Sequence, residues 1–492
     1  MKSVIIIGAG IAGLSAGIYA RKNGYEATIY ESHAVPGGMC TAWQRGKYTF
    51  EGCLHYVQLM GSSPAHDYYS LWQELGVVPH TKMIHHDILH TFRDTSGRML
   101  NLYTNADRLE KELLALSPSD AQEIKTLCTA IKRHVPFIRA TGKNPLRSMA
   151  KTAGILRAIP LLKKYGSMNM AEYAARYNDP LIRYALTDLF TYPDFACTSL
   201  FFFLAGMHIR STGYPQGGSL ALARTIERTF LELNGKIEYR KRVKRIEVQD
   251  RRATGLELDD GTVARADIII SAADGHATLF DMLEDRFTPP TLRERYATQP
   301  LFPPFIQVSL GVNRDMSGTP HAVKAQTPTP FEIAGRRQHE VWYQHFAYDS
   351  TLAPAGKTAI TVLYPSDLAW WEKLGYASEA YKAEKRKILE TTIAQLEQAL
   401  PGIAAQVEVS DVATPFTTLR YVHTWKAALG FMMTKEIGAE MVMKPQYALP
   451  GLDNFYMTGL WVKGFGVPMA AVSGKDVVRE ICKVDGKPFV VE

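Results

Sequence analysis

Residues 4–13 of this 492-residue chain are Val-Ile-Ile-Ile-Gly-Ala-Gly-Ile-Ala-Gly, and this stretch decides the fold. The four β-branched residues at its start indicate a buried strand of a parallel sheet. Gly8, Gly10 and Gly13 follow with G-x-G-x-x-G spacing. The first glycine permits a tight turn, the second lets the backbone approach a pyrophosphate, and the third lets a helix pack on the strand. The helix expected at 14–23 presents free N–H groups to the phosphates, so the sequence predicts a dinucleotide-binding unit.

A second strand is expected at residues 25–30, and Glu31 ends it. A carboxylate at this place binds a ribose hydroxyl pair and repels a 2′-phosphate. Gly37 and Gly38 follow after five residues, a spacing that resembles the extended fingerprint of the large amine oxidase and carotenoid desaturase flavoproteins. This resemblance implies that the dinucleotide is FAD. The alternative is that Pro36 and the two glycines form an ordinary turn.

The composition agrees with a cytoplasmic flavoenzyme. A chain of 492 residues, 46% apolar and 21% charged, is long enough for two or three domains with sizeable cores. Its five cysteines are scattered without a C-x-x-C pair, which supports neither a zinc site nor a disulfide framework. The apolar run near the start is the nucleotide-binding strand, broken by glycines, so we expect neither export nor a spanning helix.

The net charge of +7 originates in one segment. Residues 124–171 carry ten Lys or Arg and no Asp or Glu, interspersed with apolar residues, while the rest of the chain has 46 basic and 49 acidic residues. This pattern predicts docking on an anionic membrane surface, at its inner face. Gly154 and Pro160 are expected to break any single helix there. The alternative is a solvated basic face, and nucleic-acid binding is not favoured because no recognised module accompanies the segment.

Several motifs resemble the carotenoid (phytoene) desaturase family. They are Tyr-Pro-x-Gly-Gly-Ser at 214–219, Ala-Asp-x-x-x-Ser-x-Ala-Asp at 266–274, Leu-Ala-Pro-Ala-Gly-Lys at 352–357 and Gly-Val-Pro at 466–468. Residues 48–56 resemble the corresponding segment of the retinol saturase and carotenoid isomerase branch. The resemblance covers nearly the whole chain. It implies FAD, a Rossmann-like cofactor domain, and a substrate domain whose apolar tunnel receives polyisoprenoids.

The predicted fold class is α/β, with a Rossmann-like FAD-binding domain, an α+β substrate domain and a small, basic, membrane-facing helical subdomain. The FAD domain is expected to be discontinuous because its motifs occur in three separate parts of the chain. The predicted boundaries are 1–84, 211–294 and 446–492 for the FAD domain, 85–123, 172–210 and 295–445 for the substrate domain, and 124–171 for the helical subdomain.

Motif positions supply the candidate site residues. Met39 stands where many family members carry Arg, so phosphate binding is expected to depend more on backbone N–H groups, and Glu51 replaces the commoner Asp. Val243 is expected to hold the adenine through its backbone. The expected cofactor-binding residues are Gly8, Gly10, Ala12, Gly13, Glu31, Gly37, Gly38, Met39, Val243, Gly459, Gly466, Val467 and Pro468.

Three polar residues are candidate catalytic groups. By the resemblance, His55 lies in a segment that passes the flavin, and Lys463 precedes the last glycine motif, where a lysine stabilises a reduced anionic ring. Tyr421, in the cluster Arg-Tyr-x-His at 420–423, is a candidate acid. Structural or surface roles are the alternatives for all three. The apolar run at 199–204 lines a lipid tunnel or, as we favour, packs in the core.

These features predict an FAD-dependent oxidoreductase acting on C–C or C=C bonds of a long apolar isoprenoid or polyene. The expected chemistry is desaturation, saturation or isomerisation by hydride transfer at flavin N5. The alternatives are an amine or amino-acid oxidase on the same fold and a non-enzymatic prenyl-lipid-binding protein. The electron acceptor or donor is left open among a quinone, oxygen and a reduced nicotinamide.

Overall fold

The computed structural model describes residues 1–53, 56–140, 145–190, 192–432, 444–464 and 466–491. In chain order the strands are β1 (Ser3–Ile7), β2 (Glu26–Glu31), β3 (Ala42–Arg45), β4 (Tyr48–Glu51), β5 (Met83–Ile84), β6 (Ile88–Arg93), β7 (Met99–Tyr103), β8 (Tyr214–Pro215), β9 (Lys236–Tyr239), β10 (Val243–Gln249), β11 (Arg252–Leu258), β12 (Val263–Arg265), β13 (Ile268–Ser271), β14 (Phe305–Val312), β15 (Ala322–Ile333), β16 (Arg336–His345), β17 (Thr358–Pro365), β18 (Val407–Ala413) and β19 (Phe455–Met457).

The α-helices are α1 (Ile11–Lys22), α2 (Tyr69–Glu74), α3 (Ala106–Leu116), α4 (Ala121–His134), α5 (Pro145–Tyr165), α6 (Met170–Ala174), α7 (Pro180–Asp188), α8 (Cys197–His208), α9 (Gly218–Glu232), α10 (Pro290–Thr298), α11 (Leu368–Leu374), α12 (Glu379–Ala399), α13 (Pro415–Val422), α14 (Leu460–Lys463) and α15 (Val467–Val484). Short 3₁₀ or π segments lie at Pro118–Asp120, Val135–Phe137, Ala277–Met282, Ala404–Gln406 and Trp425–Ala427.

A five-stranded parallel sheet forms the centre of the nucleotide-binding part, in the order β19-β13-β1-β2-β9. Ile6 of β1 pairs with Ile270 of β13 on one side and with Ile29 of β2 on the other, and all three are fully buried. The sheet is built from stretches near residues 3–31, 236–271 and 455–457. The predicted α/β class with a Rossmann-like sheet is confirmed.

A seven-stranded sheet, ordered β18-β14-β17-β16-β15-β6-β7, forms the second layer of the molecule. Its pairs are antiparallel except β15 with β6. Helix α12 covers it, with Ile388 and Leu396 buried in the same apolar cluster as Val308 and Ile360 of the sheet. A three-stranded meander, β10-β11-β12, forms a separate sheet whose buried residues share the apolar core of the parallel sheet.

Helices α3 to α8 share one apolar core, which also includes β6 and β7 residues. The basic segment, residues 124–171, belongs to this helical core, because Ile124, Leu127 and Ile131 of α4 are buried within it. The expectation that Gly154 and Pro160 break the helix is wrong, because α5 runs through both residues. Gly154 packs where an added Cβ would overlap the Pro136 ring, and Pro160 lies on the exposed face, where a missing N–H costs least. The domain boundaries stay a prediction.

Helices α1 and α15 pack closely because Gly474 has no side chain. An added Cβ there would overlap the carbonyl oxygen of Ala12 and the amide nitrogen of Ala16, both of which belong to the backbone of α1. Ser15 also donates its hydroxyl to the Ala471 carbonyl oxygen at 2.7 Å. The two helices therefore hold their amino termini in a fixed relation.

We expect Gly474→Val to lower the free energy of unfolding by about 1–3 kcal/mol, because backbone atoms cannot move aside as a flexible side chain does. Lys483→Ala, an exposed change on the same helix, should alter it by less than about 0.5 kcal/mol. Denaturant titration of both variants measures the difference. Equal stability of the Gly474→Val protein and the unmodified protein would contradict the close contact.

Candidate functional site: a cavity joining a nucleotide cleft to an apolar arm

One cavity of about 1470 Å³ lies at the carboxyl edge of the parallel sheet. Its wall includes Gly8 after β1, Glu31 at the end of β2, Ala272 after β13 and Gly459 after β19. Ligands of open parallel α/β sheets bind at this edge, where the strands end and the helices begin. The same cavity also has an apolar arm, whose described wall residues come from 53–68, 162–166 and 190–203.

The turn after β1 presents glycine backbone, rather than side chains, to the cavity. Gly8 has φ of +96°, in the left-handed region, and its amide donates to the Tyr30 carbonyl oxygen at 2.8 Å. An added Cβ on Gly10 would point into open space in the cavity, with nothing within 4 Å. The Gly37 amide donates to the Ala9 carbonyl oxygen at 2.9 Å, which sets the second glycine pair beside the first turn.

Gly13 has a different role from Gly8 and Gly10. An added Cβ at Gly13 would overlap the Gly8 carbonyl oxygen, and Gly13 is not in the cavity wall. This glycine lets α1 pack against the turn, which is the helix-packing role expected of the third glycine of the motif. Ala12, Gly38 and Met39 are in the wall.

The carboxylate of Glu31 holds the backbone in place at the nucleotide end of the cavity. One oxygen accepts the Ala9 amide at 2.7 Å, and the other accepts the His33 amide at 2.7 Å. These bonds fix the acid at the end of β2, where a ribose would lie, although the residue is only 7% exposed. Val243 and Arg242, at the start of β10, form the neighbouring wall.

The last glycine motif brings a second helix amino terminus to the same cavity. Gly459, Gly466, Val467 and Pro468 are all in the wall, and α15 begins at Val467. The Gly459 amide donates to the Ser473 hydroxyl at 2.9 Å, which ties the turn to the body of α15. The amino termini of α1 and α15 therefore meet at one cleft, an arrangement that favours a phosphate anion.

The structure separates the three candidate catalytic residues. Lys463 donates to Asp476 at 2.9 Å and is not in the cavity wall. Tyr421 is in the wall, but its ring lies edge-on to His33, 5.2 Å away, beside the ribose end of the cleft. His55 lies outside the described residues. The catalytic roles of all three stay predictions.

The arm is lined by aromatic rings from α8 and the preceding loop, together with Tyr56. Tyr56 and Phe203 lie 4.7 Å apart between ring centroids, and Phe190 lies 5.5 Å from Phe203. Burial raises the pKa of Tyr56 well above its ordinary value, so its hydroxyl stays neutral. The described wall residues from 53–68, 162–166 and 190–203 include no charged side chain.

One face of helix α8 lines the arm, and the other face packs in the helical core. Ser199, Phe202 and Phe203 are in the cavity wall, whereas Leu200 and Phe201 are fully buried in the helical core. The run therefore contributes both to the cavity wall and to the core, and the lipid tunnel stays a prediction. A periodicity of 3.6 residues, rather than the apolar run itself, is the signal that distinguishes the faces.

Sequence reasoning missed several wall residues between the cleft and the arm. Asp274, after β13, accepts the Trp425 amide at 2.9 Å and the Ala277 amide at 2.9 Å, and burial raises its pKa. The His276 ring stacks on Trp425 with centroids 4.5 Å apart. Trp461, on α14, is also in the wall. The Ala-Asp dipeptide after the strand was visible as a motif, but its partner lies 151 residues away.

The family model of flavin containing amine oxidoreductases matches residues 11–482. The chain belongs to this family. This flavin oxidoreductase is 24% identical over 98% of its length to a neurosporene-forming phytoene desaturase of Rhodobacter capsulatus, of which it covers 94%. It is 22% identical over 96% of its length to the chloroplastic prolycopene isomerase of Daucus carota, of which it covers 78%. An oxidoreductase structure from Methanosarcina mazei superposes with a TM-score of 0.61 at 16% identity, covering 97% of this chain and 100% of that one.

The cofactor of this flavin oxidoreductase is FAD, and the cleft fits it. Gly10 leaves open space in the cavity, two helix amino termini reach the same cleft, and Glu31 lies at the end of β2, where an acid of a dinucleotide-binding sheet would meet a ribose. The predictions of an enzyme, of its family and of its cofactor are confirmed.

Gly10→Val should give a folded protein of this family that does not retain FAD. Gly10 has φ of −66°, which valine adopts without strain, and the new side chain would meet only the cofactor. Absorbance of the flavin bands after gel filtration measures retention, and circular dichroism measures folding. Gly13→Val is the matched control, because its side chain meets the Gly8 carbonyl and should lower stability. A folded Gly10→Val protein that keeps its flavin would show that the phosphates lie elsewhere.

Proposed function

We propose that this flavin oxidoreductase transfers hydrogen to or from a C–C or C=C bond of a long apolar isoprenoid or polyene. The observation that carries this proposal is the continuity of the cavity, which leads from the nucleotide cleft into an aromatic arm without charged walls. The relatives named phytoene desaturase and prolycopene isomerase support the substrate class. Desaturation, saturation and isomerisation all belong to the proposal.

The bound FAD supplies the redox chemistry, by accepting or donating hydride at N5. The protein positions the substrate and excludes water from the arm. The rings of Tyr56, Phe190 and Phe203 hold an apolar chain along the arm, and their packing excludes water from it. The neutral hydroxyl of Tyr56 adds no charge to the arm.

Amine oxidation is less compatible with this arm. A protonated amine that leaves water needs a charged anchor as well as aromatic rings, since an unpaired charge is costly to bury. The acidic residues of the wall are Glu31, Asp274 and Asp281, and all belong to the nucleotide-binding part. We therefore favour an apolar substrate.

We propose that Lys463 does not touch the substrate. Its ammonium group donates to Asp476 and so holds the α14 turn.

Ser199→Phe should block the arm while leaving the FAD cleft intact, because Ser199 lines the arm and a ring placed there would occupy the cavity. We expect the purified unmodified protein to carry an isoprenoid lipid that organic extraction and mass spectrometry identify. The Ser199→Phe variant should carry at least tenfold less lipid per FAD, a difference of about 1.4 kcal/mol in binding.

Ser199→Ala, which removes the hydroxyl without filling the arm, is the control and should keep the lipid. Equal lipid content in the Ser199→Phe protein would contradict the arm as the substrate site. An extract containing only a polar amine would contradict the proposed substrate class.

Helix α5 supports docking of the protein on a membrane. Leu146, Met149 and Leu156 are 74%, 69% and 59% exposed, and their spacing of three and seven residues places them on one face of the helix. Arg157 and the adjacent Lys163–Lys164 pair are exposed on the same helix. An exposed face that combines apolar and basic side chains suits an interfacial helix on anionic lipid.

The same helix leads to the cavity. Leu162 and Gly166, at its carboxyl end, are in the wall of the arm. Among the described residues, no helix has the length and apolar character needed to cross a bilayer. We propose that α5 lies on the surface of an anionic membrane, at its cytoplasmic face, and that an apolar substrate passes from the lipid along this helix into the arm.

Reversing Arg157, Lys163 and Lys164 to Glu should release the protein from anionic liposomes, since each basic residue near such a surface contributes about 1 kcal/mol. Sedimentation with vesicles measures binding, and high salt should weaken it through screening. Reversing Lys382, Arg386 and Lys387, which are exposed on α12, changes the net charge equally and should leave binding unchanged. Equal losses in both variants would mean that net charge, and not α5, determines binding.

A further inference from the structure

The turn at residues 421–425 connects the two layers of the molecule at the nucleotide end of the cavity. It follows α13, whose Phe416 packs on Tyr376 and Tyr381 beside the seven-stranded sheet, with ring centroids 5.5 and 6.0 Å apart. The helix ends at His423, which has φ of +56°. This left-handed residue turns the chain away from the second layer and towards the FAD cleft.

The turn is fastened to the nucleotide-binding layer by Asp274. One carboxylate oxygen of Asp274 accepts the Trp425 amide at 2.9 Å and the Thr424 hydroxyl at 3.3 Å. The Trp425 ring lies nearly parallel to His276, with 9° between their planes. Two hydrogen bonds and one stacked ring therefore hold this segment at the carboxyl end of β13.

Tyr421 and His423 lie in the cavity wall close to the end of β2. Tyr421 packs edge-on against His33, whose amide holds the Glu31 carboxylate. His423 is half-buried, and burial together with the charge of Arg242 lowers its pKa. Both side chains share the cavity wall with Glu31 and Arg242. Tyr421 is nevertheless 45% exposed, so its ring has area left for a ligand to cover.

We propose that Tyr421 and His423 close the adenosine half of the FAD site from the side of the second layer. The tyrosine ring and the imidazole provide flat apolar and polar surface for the adenine and ribose, in the same wall as the start of β10 and the carboxylate of Glu31. The second layer thereby contributes to retention of the cofactor. This inference rests on FAD binding, and it is independent of the proposed substrate.

The test is reconstitution of the full-length apoprotein with FAD, followed by fluorescence. Tyr421→Ala and His423→Ala should each raise the Kd for FAD at least tenfold, or about 1.4 kcal/mol, and should speed its dissociation. ADP, which contains the adenosine half alone, is the second probe, and its Kd should rise by a similar factor. Tyr421→Phe, which keeps the ring, should bind both ligands within twofold of the unmodified protein.

Tyr376→Ala is the matched control. Tyr376 is an exposed tyrosine that accepts a hydrogen bond from Arg420 at 2.8 Å, but it is not in the cavity wall. An equal loss of FAD in this variant would overturn the inference, because the effect would then come from movement of α13. Unchanged Kd in both alanine variants, or a loss for FAD without a loss for ADP, would also overturn it. Failure of the unmodified apoprotein to bind FAD would instead contradict the cofactor assignment.

Discussion

The structure depends on one constraint, which is that the polypeptide must meet a dinucleotide pyrophosphate with backbone alone. Gly8 turns the chain in a conformation that other residues avoid, and Gly10 leaves the space above it empty. Gly13 lets α1 start directly against that turn. Glu31 completes the arrangement because its carboxylate accepts the Ala9 amide and so holds the loop against the end of β2. A side chain at any of the three glycines would disturb either the loop or the ligand.

The same constraint explains why distant parts of the chain pack so closely. Helix α15 must bring its amino terminus to the phosphates beside α1, and two helices can converge this tightly only where one lacks a side chain. Gly474 meets that requirement 461 residues after Gly13. The last glycine motif is thus part of the nucleotide site as much as of the packing, since Gly459 is held by Ser473 of the same helix.

Short-range sequence patterns predicted those strands and helices whose formation depends on neighbouring residues in the chain. The second strand, expected at residues 25–30, is observed at Glu26–Glu31, and the order of motifs predicted the FAD cleft. Long-range contacts account for what was not predictable. Helix α5 continues through Gly154 because Pro136 occupies the space beside it. Lys463 follows a motif that forms the cavity wall, but the single turn of α14 directs it to Asp476. No sequence pattern joins Tyr421 to His33 or Asp274 to Trp425, because these contacts arise from the packing of two layers.

The division of charge along the cavity agrees with a charged cofactor in the cleft and with the apolar substrate proposed for the arm. Acidic and basic side chains occur where strands end, beside a cofactor that is itself charged, and there they have partners such as the amides bound by Glu31 and Asp274. In the arm a charge would have no such partner, and burying it there would be costly. Aromatic rings are suited to this part because they fill a wide space with few rotatable bonds and hold an apolar chain without polar contacts. By accepting hydrogen bonds from Thr424 and Trp425, Asp274 joins the carboxyl end of β13 to the turn after α13. Since Phe416 of α13 packs on Tyr376 and Tyr381 beside the seven-stranded sheet, one carboxylate ties that sheet to the edge of the cofactor cleft.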